Sequence, residues 1–138
     1  MAIRISEIIE KAAKAKKKEE KINILRENDS EALRTVLCFA LHPQVKSNLP
    51  DGPAPYKPAE LADENYGMLY TAYRKLPHFC EGVQDNLTKT KRENLFIQTL
   101  EAIHPKDAEL LVAAKDKKLP YKGLPISTIE EAFPGIFD

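Results

Sequence analysis

The chain has 138 residues, and its 21 Lys plus Arg are matched by 21 Asp plus Glu. That length suits one domain with a real core, and a 43% hydrophobic share excludes a disordered chain. A formal net charge of zero excludes any global attraction to nucleic acid or membrane, so a basic face has to be local.

The apolar start, Met1 to Ile9, is too short and too interrupted for a transmembrane span. It carries Arg4 and Glu7 and no small-residue cleavage site, so it does not read as a signal peptide. Ile5, Ile8, Ile9 and Ala12 fall at helical spacing and predict a first helix over Ser6 to Ala15, with Ser6 as N-cap. The lysine-rich stretch Lys14 to Lys21 leads into Ile22, Ile24 and Leu25, and Asn28-Asp29-Ser30 stops that helix. Ser30 then caps Glu31 to Leu41, whose Leu33, Val36, Leu37, Ala40 and Leu41 mark a central buried helix.

Five prolines, at 43, 50, 53, 55 and 58, predict an extended loop over residues 42–58, because proline lacks an amide donor and disfavours helix before it. A loop this long suggests a role beyond connection. Helix is expected again from about Asp63, with a stripe of Met68, Leu69, Ala72, Tyr73 and Leu76 ended by Pro77. Thr90 to Glu93 reads as a capping box opening a helix whose core side is Leu95, Phe96, Leu100 and Ile103. His104-Pro105 breaks and restarts the chain, since proline suits a first helical position. Ser127 to Glu130 reads as a last capping box, and Pro134-Gly135 ends the short helix it opens. No clean period-two alternation and no repeat is visible. The expectation is an all-α single domain, 1–138, of about six or seven short helices, with the Pro-rich loop at 42–58 and a closing helix and tail at 126–138.

Chemistry is sparse. The five glycines form no phosphate-binding loop, and the His/Cys pairs His78–Cys80 and Cys38–His42 lack the further ligands a metal needs. Cys80 beside His78 has no visible third group to make it a nucleophile. Paired acids such as Glu19-Glu20 and Glu130-Glu131 sit in charged stretches and read as solvated faces. No catalytic residue, metal, cofactor or small-molecule substrate is expected, so a binding protein is the better reading. Cys38 and Cys80 sit among apolar residues, which predicts a reduced, cytosolic protein without a disulfide framework.

Three local basic clusters remain. Lys16, Lys17, Lys18 and Lys21 crowd one turn; Lys89, Lys91 and Arg92 open a helix; Lys115, Lys117, Lys118 and Lys122 follow another, where they also complement its dipole. The clusters suit salt-sensitive contact with a DNA backbone. The C-terminal Ile129, Ala132, Phe133, Ile136 and Phe137, set among acids, offer a second possibility. They either pack on the core or form an aromatic hook for another protein.

The stretch AKKKEEKINILRENDSEALRTVLCFAL, with its Lys21-x-x-Ile24-Leu25 helix and Asn/Asp break, resembles the opening of a known domain. That domain is the N-terminal DNA-binding domain of ATP-dependent DNA ligases from T-even-type tailed phages. NLTKTKRENLFIQTLEAIHPKDAELLVAAKDKKLPYKGLPISTIEEAFPGIF is similar to the same pattern in order and spacing, so the resemblance covers roughly residues 14–137. It implies an all-helical fold lying along the duplex minor groove. The sealing chemistry of those ligases belongs to a following domain with a Lys-x-Asp-Gly motif, which Lys115-Asp116-Lys117-Lys118 does not match. The expectation is therefore a stand-alone, phage-encoded, non-enzymatic accessory of DNA metabolism in the host cytoplasm, with Lys16, Lys17, Lys18, Lys21, Lys89, Lys91 and Arg92 facing duplex DNA. The alternative is a module that keeps the fold to bind a sliding clamp, polymerase or virion protein through Phe133, Ile136 and Phe137.

Overall fold

The structure, a computed structural model, describes residues 3–50, 52–58, 68–82 and 86–137. They form an all-α domain: α1 (Ile5–Lys14), α2 (Lys18–Glu27), α3 (Glu31–Leu41), α4 (Leu69–Ala72), α5 (Lys89–Ala102), α6 (Pro105–Lys115) and α7 (Ile126–Ala132). A 3₁₀ segment, Tyr73–Phe79, continues α4. Among the described residues there is no strand, only an isolated antiparallel bridge from Ser47 to Cys80. No described helix is long and apolar enough to cross a membrane.

α3 forms as its sequence predicts. Ser30 Oγ accepts from the Leu33 amide at 3.0 Å, and Leu33, Val36, Leu37 and Ala40 are fully buried. Burying each large apolar side chain of this kind contributes about 1.5–3 kcal/mol. α3 lies against α6, α4 and the 3₁₀ segment, while α1 packs on α2 and α2 on α7.

α1 begins at Ile5 with no local side-chain cap. Ser6 is buried inside its first turn, not at the N-cap, and its amide donates to Asp107 Oδ1 at 2.9 Å. The cap thus comes from α6, 101 residues away. The start expected for the next helix, at about Asp63, lies outside the described residues. Its stripe holds for Leu69, Tyr73 and Leu76, but Met68 is exposed. Pro77 sits inside the 3₁₀ segment rather than ending it, since short 3₁₀ turns demand few amide donors. For α5 the cap is Thr88, whose side chain accepts from the Lys91 amide, so the Thr90–Glu93 box does not form. Ser127 does not cap α7 either; Pro125 holds that position without a side-chain bond.

α6 ends in a Schellman turn. Lys117 donates from its amide to Ala114 O, and Lys118 to Ala113 O. Lys117 takes the left-handed position, φ 63°, where glycine is usual. Its ammonium offsets that strain by donating to Phe39 O and His42 O at the end of α3.

Candidate nucleic-acid interface

The last turn of any α-helix leaves carbonyls without amide partners and carries partial negative charge. Cationic side chains meet several such turns here. Lys21 Nζ reaches Ala12 O and Ala13 O at the end of α1, and Gly123 O on the segment before α7. Arg26 donates to Glu131 O and Ala132 O at the end of α7. Arg92, only 8% exposed, donates to His78 O and Leu87 O. Lys115, 4% exposed, holds Pro50 O, Gly52 O and the Asp116 carboxylate. Lys21 and Arg92, both expected on a DNA-facing surface, are therefore internal ties, and a lysine of the third cluster serves the Pro-rich loop.

The outward cations are fewer. Lys16 and Lys17 lie exposed in the turn between α1 and α2, with no ion-pair partner among the described residues. Lys18 is exposed but paired with Glu131 at 2.5 Å, and Lys14 with Glu10 at 3.5 Å. Surface pairs of this kind are weak and open readily to a competing anion. The fold then adds a residue from far along the sequence. Gly123, at φ 104°, presses its backbone on α1 so closely that a Cβ there would stand 2.5 Å from Ala13 O. Lys122, the residue before it, is exposed and lines a shallow depression with Leu41 and Tyr121. Glu19 and Glu20, in the first turn of α2, border the same patch and limit its net charge.

Lys89 and Lys91 are exposed at the start of α5, whose first turn has no acid. α5 packs on α6 and the 3₁₀ segment, whereas α2 packs on α1 and α7, so the structure does not join these two lysines to the Lys16 turn.

The tail folds back on the domain. Phe133 is 4% exposed, with the Arg34 guanidinium 5.0 Å from its ring centroid. Ile136 and Phe137 are half-buried; Ile136 O accepts from Cys38 Sγ, and Phe137 meets the His42 ring edge-on at 6.0 Å. In this arrangement the three side chains form a clasp rather than a free hook.

Burial pushes the Cys38 and Cys80 thiols up from their ordinary values, against the pull of Lys117, and each donates to a backbone carbonyl. Such thiols are poor nucleophiles. Among the described residues no three His, Cys, Asp or Glu side chains gather to hold a metal.

A model for a family of unknown function, DUF6433, matches residues 8–121. No curated protein and no solved structure matches the chain.

Proposed function

The chain belongs to this family, DUF6433, and we propose that it is a non-catalytic accessory protein contacting the phosphate backbone of duplex DNA through the α1–α2 turn. The observation that carries the reading is the pair Lys16 and Lys17, exposed in the α1–α2 turn with no acidic partner among the described residues, while the segment bearing exposed Lys122 is held against the end of α1 through Gly123. Lysines in a loop are point charges suited to phosphate, and they read no base sequence. The resemblance to ligase DNA-binding domains supports the same ligand and a phage origin. The few exposed lysines of this turn, bordered by Glu19 and Glu20, limit the contact to about two or three phosphates, so binding is weak and salt-sensitive.

A gel shift on intact and nicked 25-base-pair duplexes at low salt, roughly 20 mM, tests this. Lys16→Glu with Lys17→Glu weakens binding to both duplexes by at least about tenfold, the scale expected when attraction at several phosphates becomes repulsion. Lys89→Glu with Lys91→Glu has the smaller effect. Equal loss from the two pairs, or no shift by the unaltered protein, sinks the proposal.

A further inference from the structure

A cleft of about 240 Å³ lies between the Pro-rich segment and α5. Leu49, Pro53 and Pro55 line one side; Phe96 and Ile97 line the other. Both walls are held. The segment is tied by Lys115 to Pro50 O and Gly52 O, by Asp116 to the Gly52 amide, and by Glu101 to the Lys57 amide. α5 is fixed by Arg92 on its two carbonyls and by Phe96, whose ring meets Phe79 edge-on at 5.1 Å. Proline rings cannot rearrange to fill a gap by making new hydrogen bonds. The opening is therefore preorganised.

Two properties define its occupant. The volume is below the roughly 300 Å³ at which small-molecule sites begin, yet it accepts one large apolar side chain. The polar lining consists of Lys115, whose ammonium is already taken, and Glu93, whose half-buried carboxylate has no ion-pair partner among the described residues. A half-buried carboxylate at an apolar opening favours a cation beside the buried group. We infer that this cleft docks a partner polypeptide through one apolar anchor, aromatic or leucine, carrying an adjacent Lys or Arg that meets Glu93. Anchors of this kind, seated in a pocket and ringed by near-neutral contacts, carry most of the energy in small interfaces. The inference is independent of the DNA reading.

The test is an amide and methyl NMR titration of the full chain with the probe N-acetyl-Phe-Arg-amide. Saturable shifts at Ala54, Glu93 and Ile97 are expected. N-acetyl-Phe-Glu-amide and N-acetyl-Ala-Arg-amide bind at least about tenfold more weakly, the first for charge and the second for lack of an anchor. Glu93→Gln brings the Phe-Arg and Phe-Glu probes within about twofold of each other, and Ile97→Trp, which fills the cleft from a half-buried position, abolishes both. Scattered or unsaturable shifts, or no discrimination among the probes, overturn the inference. So does concentration-dependent self-association that moves the same residues without peptide, which assigns the cleft to a second copy.

Discussion

The carboxyl of Asp107 serves two helix starts. It lies in the first turn of α6 and accepts from the Ser6 amide in the first turn of α1, so both dipoles favour its charge. Burial dominates all the same and raises its pKa; the hydrogen bond from the Ser6 amide and the charges of His104 and Arg4 oppose that rise. A carboxyl with a raised folded pKa binds its proton more tightly folded than unfolded. From the ordinary aspartate range up to the raised value, stability therefore falls as pH rises, and the benefit is complete only below that window. Asp107→Asn keeps the acceptor for Ser6 and removes this loss. Urea midpoints between pH 4 and 8 should show the variant gaining on the parent as pH increases through that window. A parallel pH dependence in the two proteins contradicts the assignment.

At the scale of elements, the connection from α6 to α7 shows what was legible and what was not. Lys115 to Gly123 reads in sequence as a basic helix end with a turn. The Schellman geometry and the positive φ of Gly123 agree with that reading. The contact of Gly123 with α1 had no local signal, because Ala13 and Lys21 lie over a hundred residues earlier. The same holds for the cap of α1. α3 was legible because Ser30 and its apolar spacing are adjacent in the chain, whereas Asp107 is remote from Ser6. For α5, the sequence pattern marks Thr90 as the cap, and the structure puts Thr88 there, two residues earlier. Gly123→Ala forces a side chain into a left-handed position and against a carbonyl, at a cost of about 1–3 kcal/mol. Gly82→Ala has a similar φ, 86°, and open space, so it bears only the conformational part. Calorimetric melting of both variants should show the larger drop at Gly123; equal drops would mean the Ala13 contact contributes nothing.

Taken as a whole, the molecule divides its cations into two populations that composition cannot separate. Lys21, Arg26, Arg92, Lys115 and Lys117 hold backbone carbonyls and tie distant segments together. Lys16 and Lys17 face solvent at the α1–α2 corner, and Lys122 is exposed on the segment held against α1. A lysine in sequence carries no mark of which population it joins, and that is why two of the seven expected DNA contacts, Lys21 and Arg92, turn inward. The tail was likewise ambiguous until Phe133 was seen beneath Arg34 and Phe137 against His42. The central claim is that the outward corner meets phosphates. Its most direct test is the slope of log Kobs against log salt for a fluorescent duplex, measured for the unaltered chain and for the Lys16→Glu, Lys17→Glu, Lys122→Glu variant. Three phosphate contacts predict a slope of about −2.7 for the first and near zero for the second. Equal slopes, or no binding by the unaltered chain at low salt, would contradict the account.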